Sequence, residues 1–294
     1  MKQLHKTIIR KLLGGLAVVT LTFNFSSSAL AGPRIHCSED TVKVSRILGS
    51  LQTADKDLGK RCVAAAEELV GTVWAPAHDN DTIGTMVVNL HGFDRMGFVN
   101  NVLALAKASL HHMPVERQYE IALEGYSRRK GEDNGFPSQL FYGADWIVDN
   151  IYRGNLKEVT EYVGGGSFKP KTLDYMTRHA DEFPAMKDPA VNDKIRMIEM
   201  GYRSHRIPHL KKQSVGNKEI RDMMEDGDIV IMLSNELDYD VYDIGFVKMV
   251  GGEPHFIHIS RETGKVVEDP YPLSRLFKLE NQHFYGYRWL RPTE

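Results

Sequence analysis

The stretch Phe93-Asp94-Arg95-Met96-Gly97-Phe98-Val99-Asn100-Asn101-Val102-Leu103-Ala104-Leu105-Ala106 carries the strongest local pattern in the chain. Asp94 is a good N-cap, because its carboxylate can accept a backbone N–H that the first helical turn leaves unpaired. Phe98, Val99, Val102, Leu103, Leu105, Ala106 and Leu110 then recur at helical spacing, so a helix with a wide apolar face is expected. His111 and His112 follow it and read as partners of the negative helix end rather than as ligands.

Upstream, residues from Val42 to about Leu51 and from Ala54 to about Val70 also show helical periodicity, and Met86 to Leu90 reads as a short strand. His78-Asp-Asn-Asp81 gathers potential metal ligands, but contiguous side chains rarely converge on one point, and a solvated turn is the expectation. The middle, from Gly125 to about Lys187, has little periodicity and reads as long loops and short helices, with Gly164-Gly-Gly166 as a flexible point. Downstream the period changes. Asp228 to Ser234, Tyr242 to Val250, Pro254 to Ser260 and Lys265 to Asp269 are short β-rich runs separated by turn signals such as Gly251-Gly-Glu253 and Glu262-Thr-Gly264. N-terminal helices packed on a C-terminal antiparallel sheet or small barrel make an α+β fold.

The first residues address the compartment. Lys2, Lys6, Arg10 and Lys11 precede an apolar run from Leu12 to Phe25, and Ser26-Ser-Ser-Ala-Leu-Ala31 supplies a small-residue cleavage site. Residues 1–31 are therefore expected to be a signal peptide and residues 32–294 a single exported domain of the periplasm or cell envelope, with no stable membrane insertion after cleavage. The net charge of -2 gives no basic excess to suggest nucleic acid. No cofactor and no metal is expected. Cys37 and Cys62 are the chain's two cysteines, and in an oxidising compartment one disulfide between them is the economical expectation.

The quoted stretch resembles the nucleophile helix of the N-acetylmuramoyl-L-alanine amidase-like family (domain of unknown function 1460), papain-like cysteine hydrolases related to NlpC. Further blocks agree in order: Glu68-Leu-Val-Gly-Thr72, Ser138-Gln-Leu-Phe-Tyr142, Asp145-Trp-Ile-Val-Asp-Asn150 and Gly227-Asp-Ile-Val230, then Asp243-Ile-Gly-Phe-Val247, His258-Ile-Ser260 and Gly286-Tyr-Arg-Trp289. The resemblance implies an NlpC-like, papain-like fold and a peptidoglycan or muropeptide ligand, and it leaves any protein partner unspecified. It also exposes departures. Where the family carries its nucleophilic cysteine, after the capping Asp, this chain has Arg95, and where the family carries its base histidine the chain has Asp243. A further family histidine is Phe141 here, and His258 alone remains of the polar set.

Arg95 cannot replace a thiolate, because a guanidinium stays protonated and only donates hydrogen bonds. A cation on the first turn also opposes the positive end of the helix dipole, at a cost of a few tenths to about 1 kcal/mol. Arg95 thus needs an anion, and the family geometry implies that Asp243 supplies it in a partly buried salt bridge. An inactive amidase-like protein retaining at most muropeptide binding is the expectation, with Asp94, Arg95, Tyr142, Trp146 and His258 as candidate binding residues. Tyr142 and Trp146 read equally as core aromatics. Two alternatives stay open: a hydrolase whose nucleophile has moved to Asp94, Ser260 or a cysteine, and a structural or partner-binding protein.

Overall fold

Two glycines build the hairpin on which the candidate site rests. Gly251 and Gly252 have φ of 59° and 83°. They join Val250 to Glu253 as a two-residue turn whose left-handed backbone matches the twist of paired strands. The computed structural model describes residues 34–35, 38–76, 86–113, 116–129, 135–163 and 167–294. Residues 1–31, the turn at residues 78–81, Gly164 to Gly166 and Cys37 lie outside them, so the expectations placed there are not addressed by the structure.

Strand β1 (Arg34–Ile35) leads into helices α1 (Ser38–Leu51) and α2 (Leu58–Glu68). Strands β2 (Val73–Trp74), β3 (Met86–Val87) and β4 (Gly92–Phe93) are two residues each, so the strand expected over Met86 to Leu90 is shorter than its pattern suggested. Helix α3 (Arg95–Ser109) follows, then α4 (Glu116–Ser127) and α5 (Gly143–Tyr152), with β5 (Leu156–Glu158) and β6 (Ser167–Lys171) behind them. After α6 (Tyr175–Arg178) and α7 (Pro189–Gly201) come β7 (His205–Lys211) and α8 (Lys218–Met223). The chain closes with β8 (Ile229–Ser234), β9 (Val241–Val250), β10 (Glu253–Ser260), β11 (Lys265–Glu268), α9 (Leu273–Leu279) and β12 (Phe284–Pro292).

The fold is α+β, as its patterns predict, with the sheet open rather than closed into a barrel. Its strand order is β4-β2-β11-β10-β9-β8-β12-β7-β6, and β5 adds to β12. Pairing is antiparallel except where β2 meets β4. All six residues of β8 are buried, which explains its unbroken apolar run Ile-Val-Ile-Met-Leu.

Helix α3 is the pivot of the helical half. Its sequence suggests one wide apolar face, yet Asn100, Asn101 and Ser109 are buried as well, because α1, α2 and α4 enclose it and β9 and β10 back it. Phe98 meets Phe246 of β9 edge to face, ring centres 6.0 Å apart, which fixes the helix against the sheet. The middle of the chain, to Lys187, is largely loops and short helical turns as its weak periodicity suggests, with α5 as its one helix of more than two turns among the described residues. Cys62 is fully buried in α2 with a free thiol, whose pKa burial pushes up; the expected bridge to Cys37 is thus not part of the described structure. No helix among the described residues is long and apolar enough to cross a membrane.

Candidate functional site

Asp94 caps α3 as expected: its Oδ1 accepts the N–H of Gly97 at 2.7 Å. Arg95 is the first residue of the helix, so its cation stands against the positive end of the dipole. Its Nε donates to Oδ1 of Asp243 at 3.2 Å, and its Nη2 lies 3.4 Å from the carbonyl of Ile259. The pair expected across the family's reacting positions therefore forms, with Asp243 buried and Arg95 half-buried. Nη1 and part of Nη2 remain uncommitted among the described residues.

Asp243 is aimed by two local features of β9. Met232 and Leu233 of β8 pair with Asp243 and Val241, so Tyr242 is an extra residue in β9. Such a bulge breaks the alternation of faces and redirects the neighbouring side chain. Gly245 lies opposite His258 of β10, and any Cβ there would come within 2.3 Å of the Ile257 carbonyl and 2.9 Å of the His258 Cβ. Glycine at 245 is what allows His258 to lean toward Asp243.

His258 Nδ1 lies 2.7 Å from the second carboxylate oxygen of Asp243, while Oδ1 also accepts the N–H of Ile244 at 2.9 Å. The other ring nitrogen, Nε2, is 3.8 Å from Oδ2 of Asp269. Arg95, Asp243, His258 and Asp269 thus form a row of alternating charge. Burial alone would pull the His258 imidazolium pKa down, but Asp243, helped by Asp269, raises it to about 9. Burial alone would likewise push the Asp243 carboxyl up, and His258 with Arg95 holds it below the usual carboxylate value. At neutral pH His258 carries both protons and only donates.

This constellation holds ions and hydrogen bonds in place but contains no nucleophile with a base. Ser260 Oγ accepts a 3.3 Å hydrogen bond from the N–H of Thr263, and its neighbour His258 is an imidazolium unable to take a proton. Asp94 is engaged as a cap, and Cys62 is a buried thiol on another helix. Among the described residues no group of three or more His, Cys, Asp or Glu side chains could hold a metal ion.

The candidate aromatic residues are core members. Trp146 is 0% exposed and its Nε1 donates to Oδ1 of Asn100 at 2.8 Å, while the Tyr142 hydroxyl donates to Glu199 at 2.6 Å and accepts from Met176 N at 3.0 Å. Neither ring offers a face to a ligand. The half-buried Phe141 instead heads an aromatic group, with Tyr175 and Tyr239 at 6.2 and 5.7 Å. Tyr239 and Asp269 escaped the reading of the sequence. Asp269 reads only as the end of a β-rich run before Pro270, and Tyr239 sits in a polar connection without periodicity, so neither signals a site.

A helix N-terminus docked against a strand of an antiparallel sheet, with polar side chains of helix and two adjacent strands meeting there, fits the NlpC-like, papain-like fold that the resemblance implies. Residues 72–281 match the family model AmiA-like, N-acetylmuramoyl-L-alanine amidase-like, and the chain belongs to that family. Its fold is similar to that of an N-acetylmuramoyl-L-alanine amidase from Bacteroides uniformis, at 24% identity and a TM-score of 0.73 over 81% of this chain and 99% of that one. It is also similar to a putative xylanase from Bacteroides fragilis, at 24% identity and a TM-score of 0.70 over 78% and 99%. A Legionella pneumophila protein of family model DUF1460 shares the fold at 15% identity, with a TM-score of 0.67 over 87% and 95%. No curated protein matches the chain in sequence.

Proposed function

We propose that this chain is an exported member of the amidase-like family that binds cell-wall muropeptide without cleaving it. The observation that carries this reading is the Arg95–Asp243 pair. A guanidinium locked to a carboxylate stands where the family resemblance implies a thiol and its base, and it leaves nothing to attack an amide carbonyl. The uncommitted edge of Arg95 is suited to grip a carboxylate of a peptide stem. At the flanking residues of the helix start, a cleft of about 150 Å³ is lined by Phe93, Asp94, Asn100, Arg128 and Phe141. The leader of residues 1–31 supports export, with residues 32–294 as the mature domain.

The test is to incubate the mature protein with purified muropeptides and analyse the mixture by mass spectrometry, with calorimetry in parallel. Binding without release of L-alanine-bearing peptides is expected, and Arg95→Met should weaken it by about tenfold or more. Turnover abolished by mutating some other residue would establish a relocated nucleophile. Absence of both turnover and binding would leave the scaffold to a partner-binding role and overturn the proposal.

A further inference from the structure

The last turn of α3 carries a cation that its surroundings do not neutralise. Lys107 stands roughly 18 Å along the helix from Arg95, at a rise of 1.5 Å per residue. It is half-buried, and its Nζ donates to Oδ1 of Asn155 at 2.9 Å and lies 5.5 Å from the centre of the Tyr126 ring. Partly buried cations elsewhere, such as Arg129, Arg153 and Arg288, each meet a carboxylate. Lys107 meets none among the described residues, and burial, unopposed by an anion, holds its pKa below the usual lysine value.

Lys107 lines a cleft of about 310 Å³ between the end of α3 and α4. That volume falls within the range of roughly 300 to 1,000 Å³ typical of small-molecule sites. The cleft shares no lining residue with the one at Asp94 and Phe141 or with the one over His258. No Asp or Glu is among the described residues that line it, and Ala108, Ile121, Ala122 and Tyr126 make most of its wall apolar. Gly125, also on the wall, lies inside α4, where glycine weakens a helix relative to alanine. A Cβ there would meet nothing within 4 Å, so packing does not require the glycine. Its missing side chain leaves the cleft open.

One uncompensated cation among apolar walls sorts ligands by class. A cationic ligand would be repelled by Lys107, and a polyol would leave most of its hydroxyls unpaired against Ile121 and Ala122. A small inorganic anion would neutralise Nζ but leave the apolar walls in water. A carboxylate carried on an apolar body meets both demands, since its oxygens accept charge-assisted hydrogen bonds from Nζ while the body buries apolar surface. We propose that the cleft between α3 and α4 binds a small amphipathic monocarboxylate, with the carboxylate on Lys107 and the apolar body against Ile121, Ala122 and the Tyr126 ring. This site lies beyond the muropeptide reading and does not rest on it.

The mature protein is titrated with sodium hexanoate to roughly 10 mM while the ring signals of His111, Tyr126 and Phe141 are followed by NMR. Saturable shifts at His111 and Tyr126, with Phe141 unmoved, are expected. Sodium acetate keeps the charge without the body and hexanamide keeps the body without the charge, and each should bind about tenfold more weakly or worse. Lys107→Met should weaken hexanoate by about tenfold and leave hexanamide unchanged. Gly125→Leu, which places a side chain in the open space of the cleft, should abolish binding of both, whereas Arg95→Met should change neither. No saturable hexanoate shift would mean that water alone fills the cleft, and the proposal falls. It falls equally if hexanamide binds as tightly as hexanoate, or if the shifts appear at Phe141 and vanish in Arg95→Met, which would put the carboxylate at the other end of α3.

Discussion

His258 donates through Nδ1 to Oδ2 of Asp243 at 2.7 Å, and the same carboxylate holds Arg95 through Oδ1 at 3.2 Å. One buried anion therefore serves two cations from different elements, a helix start and a neighbouring strand. Removing it would expose each cation to the other as well as to a dry surrounding. That asymmetry makes the carboxylate the most sensitive point of the site.

Asp243→Asn is expected to destabilise the protein by about 3 to 5 kcal/mol, since it leaves charged partners buried and uncompensated. Combining it with Arg95→Met removes one of the stranded cations, so the double variant should be more stable than Asp243→Asn alone. Urea melts of both single variants and the double should show coupling of about 1 to 3 kcal/mol between the sites. Strict additivity would show that the two side chains do not interact in solution.

The pH dependence of stability should carry the signature of His258. Its folded pKa of about 9 lies above the ordinary value of 6.5, so the stabilisation is present in full below about pH 6.5 and is lost as pH rises through about 9. Asp243, held below its ordinary value of 3.8, loses its contribution only as pH falls below that value. The stability difference between the wild type and His258→Gln should thus shrink from pH 6.5 to 9 by on the order of 3 kcal/mol. A difference that stays flat over this interval would mean that His258 is neutral in the folded protein.

Restoring the family's reacting groups tests whether the scaffold still positions them. In the double variant Arg95→Cys with Asp243→His, the thiol sits at the first residue of α3 and faces an imidazole on β9. Its pKa should fall from about 8.5 into the range of about 3.5 to 7.5. The rate of alkylation by iodoacetamide against pH reads this directly. A midpoint at or above 8.5, the ordinary thiol value, would show that the two positions no longer meet as a reactive pair.

Trp146 should behave as a core residue. Its ring is enclosed and its N–H is spent on Asn100, so Trp146→Ala is expected to cost about 3 to 5 kcal/mol by leaving a cavity. Trp146→Phe keeps most of the volume but strands the Asn100 carbonyl, at about 1 to 3 kcal/mol. Thermal or urea unfolding measures both. Near-wild-type stability of Trp146→Ala would point instead to a ring that swings out to solvent.

The local code of the sequence determined the cap at Asp94, the helix from Arg95 and the strands β8 to β11, whereas the absence of a thiol and an imidazole from the family's reacting positions is what the resemblance implies. Caps and periodicities act over three or four residues, so they are written into consecutive positions. The Arg95–Asp243 pair spans 148 residues and was legible only through the resemblance, which supplied the geometry that spacing cannot. Tertiary structure alone decided the rest. The bulge at Tyr242 and the close approach at Gly245 turn His258 onto Asp243, and the connection beyond β11 brings Asp269 to its other nitrogen. Packing on every side, rather than any periodic face, buries Asn100 and Trp146 together. These relationships depend on strand register and on which layers cover an element, quantities fixed by the whole chain's packing and not by any short stretch of it.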